Sequence, residues 1–181
     1  MKNSKRTNRS TLIALASALI LSVLASAQAA AKDDPSYILY GEPRTGSRIA
    51  PKLLTSPIPI NVTYEELSDA EKAKIRANYD SMPEADEPPF PKAGLEPIWK
   101  EVTKEGRHSS NQIGDVVVVA SVDKDGVVRE VAVYNTTSNN MTRIVSTALA
   151  ATEFKPAVCS GKPCAMDFIL EARLDIDLMR N

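Results

Sequence analysis

Residues 114–138, GDVVVVASVDKDGVVREVAVYNTTS, predict two β-strands joined by a hairpin. The run at 116–122 is rich in valine, a β-branched residue that strands favour. Residues 123–126, Asp-Lys-Asp-Gly, supply the turn, and Gly126 can take the positive φ that a tight hairpin needs. Residues 127–134 then return as a second strand. This stretch therefore predicts an antiparallel pair as the centre of the fold.

A helix and a further strand are predicted after the hairpin. Residues 135–140 form a polar loop whose last side chain can cap a helix. The apolar residues that follow have the spacing of an amphipathic helix: Met141, Ile144, Val145, Ala148, Leu149 and Thr152. The last strand starts at Ala165 and alternates between two faces, with Met166, Phe168, Leu170, Ala172 and Leu174 on one and Asp167, Ile169, Glu171, Arg173 and Asp175 on the other.

The order of these elements predicts the topology of the sheet. A helix that connects two strands of one sheet normally lays them parallel through a right-handed crossover. The first strand pairs with the second through the hairpin, so it takes the central position, antiparallel to both neighbours. The expected fold class is α+β: a small antiparallel three-stranded sheet with helices on one face (αββαβ), preceded by an extended arm and a short helix.

These residues resemble the C-terminal domain of the TonB energy-transducer family. The resemblance lies in GDVVVVASVDKDGVVREVAVYNTTS, in the alanine-rich helix and in FKPAVCSGKPC before the final strand. The upstream DEPPFPKAGLEPIWKEV resembles the proline-rich entry and first helix of that domain, so the match covers roughly residues 85–178. In that family a peptide of an outer-membrane receptor joins the edge of the last strand. The resemblance therefore implies a partner-strand edge at Asp167, Ile169, Glu171, Arg173 and Asp175.

The N-terminal residues predict export. Residues 1–10 carry four basic side chains and no acid, residues 11–27 are apolar, and small residues suited to cleavage follow. This pattern predicts a secretory signal peptide at residues 1–29 and a periplasmic mature protein. The alternative is an inner-membrane anchor at residues 11–27, because that run is close to the shortest that spans a bilayer. Without the leader, 18 of the 22 basic residues remain against 23 acidic ones. The resulting net charge of −5 argues against nucleic acid as a partner.

The chain after the predicted leader divides into three segments. Residues 30–62 contain five prolines without sustained periodicity, so an extended arm is expected there. Residues 63–84 are expected to be helical, since Ser68 and Glu71 have the spacing of a capping box. Residues 85–181 hold the TonB-like domain.

Cys159 and Cys164 are the only cysteines, and an exported protein should pair them in a disulfide. We expect them to face each other across a hairpin at a non-hydrogen-bonded pair. A metal site would need more ligands than two thiols and the distant His108. A redox pair is more usually C-x-x-C at the start of a helix. A structural staple is the simplest interpretation.

Residue types that carry catalysis are sparse. His108 is the only histidine, and neither a second base nor a spaced ligand set accompanies it. Asp123 and Asp125 lack the later oxygen ligands that a Ca²⁺ site requires, so a turn explains them. We therefore expect a protein that is not an enzyme, without catalytic residues, cofactor, metal or small-molecule substrate.

The predicted function is a periplasmic module of the Gram-negative envelope that binds an extended protein segment by strand addition, as an accessory of TonB-dependent uptake. The expected partner is a protein, such as the periplasmic segment of an outer-membrane receptor. The second and third predicted strands are both edges whose backbone groups could accept a further strand. The alternative is a structural or self-associating envelope protein without energy-transducing activity, in which the same edge pairs with a second copy, as in a homodimer, or with the chain's own arm at residues 37–60.

Overall fold

The structure is a computed structural model and describes residues 36–41, 52–106, 108 and 112–176. Within these residues the helices are α1 (Asp69–Arg76), α2 (Glu96–Gly106) and α3 (Asn139–Ala150). The strands are β1 (Tyr37–Tyr40), β2 (Lys52–Ser56), β3 (Phe90–Pro91), β4 (Gln112–Val122), β5 (Val128–Asn135), β6 (Phe154–Lys155), β7 (Ala157–Cys159), β8 (Lys162–Cys164) and β9 (Met166–Ile176). The predicted hairpin corresponds to β4 and β5, and the predicted last strand to β9.

Five strands form one antiparallel sheet in the order β1-β2-β9-β4-β5. β4 lies between β5 and β9 and is antiparallel to both, as the crossover argument predicts. The predicted three-stranded sheet is nevertheless wrong. β1 and β2 extend the sheet beyond β9, and β3–β6 and β7–β8 form two further small sheets. The fold is therefore mostly β, with three helices in the described residues.

Burial explains why part of the predicted arm joins the sheet. Leu53 and Leu54 of β2 are 2% and 0% exposed, and Leu54 lies opposite Leu174 of β9. Burial of a leucine side chain stabilises a fold by about 1.5–3 kcal/mol, which offsets the cost of ordering the arm. The sequence-based expectation gave more weight to Pro51 and Pro57 than to the apolar pair between them.

The core lies between one face of the sheet and the helices. Alternate side chains of β4 and β9 point into it, among them Val118 and Leu170. α2 contributes Trp99 and α3 contributes Val145, and both are fully buried. The opposite side of the sheet, called here the helix-free face, carries no helix from the described residues. On β4 and β9 it presents Val117, Val119, Ile169 and the charged residues between them.

α1 begins with the predicted capping box. The Ser68 hydroxyl accepts from the Glu71 N–H at 3.4 Å, and the Glu71 carboxylate accepts from the Ser68 N–H at 2.7 Å. Tyr37 of β1 also donates its hydroxyl to Glu71, which ties the helix to the first strand. This hydrogen bond holds the pKa of the Glu71 carboxyl below its usual range.

Arg76, the last residue of α1, binds the acidic connector, which is the segment at residues 77–89 between α1 and β3. Its guanidinium donates to the backbone carbonyls of Met82, Pro83 and Asp86. Glu87 then exchanges two backbone hydrogen bonds of 2.9 Å with Val158 of β7. The connector is thereby held against the β7–β8 hairpin.

The predicted signal peptide at residues 1–29, with the alternative anchor at 11–27, lies outside the described residues. Within the part of the chain that the structure describes, no helix has the length and hydropathy needed to span a bilayer.

Candidate strand-addition edges

β9, the predicted partner-strand edge, is an interior strand of the sheet. Thr55 of β2 pairs with Arg173, so β2 occupies the C-terminal part of this edge. Lys52 of β2 adds an ion pair with Asp175 at 2.9 Å between nitrogen and oxygen. The sequence placed the β9 side chains on the correct faces, and it offered pairing of this edge with the chain's own arm only as the alternative.

Tyr79 covers the other end of the same edge. Its hydroxyl donates to the backbone carbonyl of Asp167 at 2.6 Å. Burial raises the pKa of the Tyr79 phenol well above its ordinary value, and the charge of Asp167 adds to the shift. The protonated phenol, which is the form that donates, is therefore favoured to a higher pH than in an exposed tyrosine. Because alternate residues of an antiparallel strand direct their backbone to the same side, Ile169 and Glu171 also direct theirs to this edge.

Two prolines explain why β2 stops short of these two residues. Continued beyond β2, the register would place Pro57 opposite Glu171 and Pro59 opposite Ile169. Proline has no N–H to donate to a ladder, and the Pro57 carbonyl accepts from Lys74 Nζ at 3.1 Å. Among the described residues, no strand therefore pairs with the outward backbone groups of Ile169 and Glu171. A gap this short offers little room for an added strand.

β5 ends the sheet on the opposite side and pairs with β4 alone among the described strands. The Asp123 N–H donates to the Val127 carbonyl at 3.0 Å across the hairpin. Asp123 therefore directs its N–H and C=O groups toward β5. Every second residue before it in β4 does the same, and Val119 is one of these residues. Val119 is paired with Ala132 in the ladder. This pair therefore exchanges hydrogen bonds between the two strands.

The residues on either side of Ala132 direct their backbone the other way. Val131 and Val133 present their N–H and C=O groups at the outer edge of β5. No hydrogen bond between described residues engages these groups. Their side chains pack partly against the core, so the edge is held in place from the helix side. β5 is the longest open edge of the described sheet.

The β5 edge carries features that limit indiscriminate pairing. Its ladder with β4 has two irregularities, one between Val117 and Val118 and one between Ser121 and Val122. Such bulges twist an edge and discourage random strand pairing. Tyr134 lies at the bulge near the end of β5 and is 74% exposed. The edge is thus available but irregular, which favours a specific partner.

The disulfide between Cys159 and Cys164 joins β7 and β8, with a Cα–Cα distance of 5.8 Å. The register pairs Cys159 with Lys162 and Cys164 with Ala157, so the two cysteines are diagonal neighbours. The expectation that the two cysteines lie directly opposite each other is wrong. The turn between the strands holds two residues, Ser160 and Gly161, and not the four that separate the cysteines. The Asp86 carboxylate accepts from the Ser160 N–H at 2.8 Å, which anchors this hairpin to the connector.

The residues considered for chemistry are turn residues in the structure. The Asp123 carboxylate accepts from the N–H groups of Asp125 and Val127, each at 2.9 Å, and from Arg129. The bond from Val127 is the main cause that holds the pKa of Asp123 below its usual range. His108 is exposed, and its N–H donates to the Glu105 carbonyl at 3.2 Å. Within the described ranges, no group of three metal-ligating side chains comes together.

No protein-family model, curated protein or solved structure matches this chain. The resemblance to the TonB C-terminal domain therefore stays a prediction from the residues quoted above.

Sequence reasoning missed two elements of these edges. Tyr79 lies in the segment predicted to be helical, residues 63–84, and a lone tyrosine does not indicate a hydrogen bond to a strand 88 residues away. Pro57 and Pro59 could have been recognised from the sequence. Alternating prolines in an extended segment indicate the end of a strand, because they have no N–H group to donate to a neighbouring strand. β5 itself was among the predicted edges.

Proposed function

We propose that the protein is an exported binding module that accepts an extended segment of another protein at the outer edge of β5. The observation that carries this proposal is the set of outward N–H and C=O groups of Val131 and Val133, which no described strand pairs. An added strand would engage these groups, and each main-chain hydrogen bond contributes about 0.5–1.5 kcal/mol. The proposal keeps the predicted strand addition but moves it from β9 to β5.

The envelope setting of this proposal is supported by the N-terminal pattern and by the disulfide. The leader-like residues 1–29 indicate export, and a disulfide on a short hairpin persists in an oxidising compartment. The resemblance to the TonB C-terminal domain supplies the proposed context, which is a role as an accessory of TonB-dependent uptake across the outer membrane. The receptor segment that joins a strand in that family would here meet β5.

A structural role without a partner strand is the second candidate. It is favoured by β2, whose buried Leu53 and Leu54 complete the core beside β9. On that side the module is already closed by its own chain. Under this candidate the β5 edge would pair with a second copy or with nothing.

A pull-down from envelope extract tests the proposal, with the mature protein and two variants as the bait. Val133→Pro removes an outward N–H, whereas Val133→Ala keeps the N–H and removes only side-chain packing. We expect the mature protein and Val133→Ala to retain the same envelope protein, and Val133→Pro to lose it. Loss of one main-chain bond and the steric block should weaken binding about tenfold or more. Circular dichroism of both variants establishes that the fold persists, and equal retention by both would contradict the proposal.

A further inference from the structure

The added strand has a definite chemistry. We infer that the segment accepted at β5 is a strand of another protein that carries a basic side chain opposite Glu130 on the helix-free face and apolar side chains toward α3. This inference rests on the strand addition proposed above and specifies the kind of partner. It follows from the charges in one row of the sheet, from the half-buried valines of β5 and from the poor fit of a second copy.

One row of the helix-free face is acidic up to the open edge. The register aligns Asp167 of β9 with Ser121 of β4, and Ser121 with Glu130 of β5. The Ser121 hydroxyl donates to the Asp167 carboxylate at 2.7 Å. Glu130 is exposed at the end of this row. A strand added beside β5 would place its own side chain in the same row, about 5 Å from Glu130.

The protein supplies no cation to this row from its described residues. The basic side chains on the helix-free face are already paired, Lys52 with Asp175 at 2.9 Å and Arg173 with Asp115 at 3.0 Å. None of the ion pairs among described residues includes Glu130, Asp167 or Glu171. A lysine or arginine of the partner opposite Glu130 would therefore complement the face, whereas an acid there would be repelled.

The other side of the added strand would meet an apolar surface. Val131 and Val133 point toward the core side of β5 and are only partly buried. α3 packs beside them through its buried stripe, which includes Val145. Alternate apolar residues of the partner would complete the burial of these two valines. The expected partner thus places a basic residue opposite Glu130 and apolar residues beside Val131 and Val133.

A second copy of this chain fits the edge poorly. The cation of β5, Arg129, is held by Asp123, with 2.6 Å between its Nε and the carboxylate. Antiparallel pairing of two β5 strands would leave Glu130 opposite a neutral or acidic residue. The expected charge of −5 after removal of the leader also opposes association of like molecules. These charges favour a basic segment of a different protein.

Synthetic peptides of about the length of β5 test the inference. One alternates lysine with valine, and the control alternates glutamate with valine. Binding to the mature protein is followed through the amide resonances of Val131 and Val133, at low salt and near 0.15 M salt. We expect the lysine peptide to bind at least about tenfold more tightly than the glutamate peptide, and to weaken as salt screens the charges.

Two substitutions localise the effect. Glu130→Gln should weaken the lysine peptide by roughly two- to fivefold, as expected for an exposed ion pair. Glu84→Gln, an exposed acid of the connector, is the matched control and should not change the affinity for the lysine peptide.

Equal binding of both peptides, or no effect of Glu130→Gln, would overturn the basic partner while leaving strand addition intact. A dimer in sedimentation velocity that Val133→Pro abolishes would instead assign the edge to a second copy. Failure of the bait comparison would overturn strand addition itself.

Discussion

The hydroxyl of Tyr79 donates a 2.6 Å hydrogen bond to the backbone carbonyl of Asp167, and this bond joins the chain after α1 to the edge of β9. It occupies a carbonyl that a partner strand would otherwise use. β2 occupies the same edge further along through Thr55 and Arg173. The last strand is therefore covered at both ends by its own chain, and β5 is left as the long open edge.

Replacement of Tyr79 by phenylalanine should remove one hydrogen bond and lower the free energy of unfolding by about 0.5–1.5 kcal/mol. The raised pKa of this phenol also predicts a pH dependence. A group with a raised pKa stabilises the fold below its unfolded value, near 10 for tyrosine, and loses that contribution as the pH rises further. Urea unfolding at neutral and alkaline pH should show a decline that Tyr79→Phe reduces.

The control for this prediction is Tyr134→Phe, since Tyr134 is exposed. Because an exposed side chain loses few contacts on truncation, this variant should leave the free energy of unfolding unchanged. An identical decline in Tyr79→Phe would show that other groups cause it.

Leu54→Ala should destabilise the protein by about 2–5 kcal/mol, because the side chain is fully buried opposite Leu174. Ile38→Ala in β1 is the control, since Ile38 is 40% exposed and should cost much less. Chemical denaturation of both variants measures the difference. Similar small losses would mean that the arm is a linker after all, and that β9 is an edge.

Gly126→Ala should be more damaging than Gly161→Ala, although both glycines have positive φ, +82° and +78°. A Cβ on Gly126 would lie 2.1 Å from the Phe154 carbonyl oxygen, whereas a Cβ on Gly161 would meet nothing within 4 Å. Gly161→Ala should therefore cost only the backbone strain, about 1 kcal/mol, and Gly126→Ala a larger amount. Thermal unfolding ranks the two variants, and equal losses would refute the close contact.

Loss of the disulfide should have a modest effect. The bridge closes a short loop, with a sequence separation of five residues, so the chain-entropy estimate is about 2 kcal/mol. Serine at both Cys159 and Cys164 should lower the free energy of unfolding by about 1–2 kcal/mol in urea titrations. Two free thiols in protein purified without a reductant would show that the bridge does not form.

Local sequence patterns predicted the hairpin of β4 and β5, the helix α3 and the alternation of β9, because each depends on residues close in the chain. The capping box of Ser68 and Glu71 is equally local and is present. The size of the sheet was predicted wrongly, since the pairing of Leu54 with Leu174 joins segments 120 residues apart. Hydrophobic periodicity over a few residues carries no information about such a contact.

The candidate strand-addition edges show the same contrast between features that depend on nearby residues and features that depend on long-range pairing. The faces of Glu171 and Arg173 followed from alternation along one strand, whereas the covering of their edge depends on β2 and Tyr79. The disulfide partners followed from the cysteine count, but their diagonal register depends on the turn at Ser160 and Gly161. Long-range pairing decides which edge stays open, and it could not be predicted from the sequence pattern.

Residue-resolved amide hydrogen exchange of the free monomer tests the central claim most directly. If the outer edge of β5 is open, the amides of Val131 and Val133 exchange quickly, while those of Glu130 and Ala132, bonded to β4, exchange slowly. The amide of Arg173 in β9 should also be slow, because β2 covers it. Equal protection of all four β5 amides, together with rapid exchange at Arg173, would contradict the account and return the binding edge to the last strand.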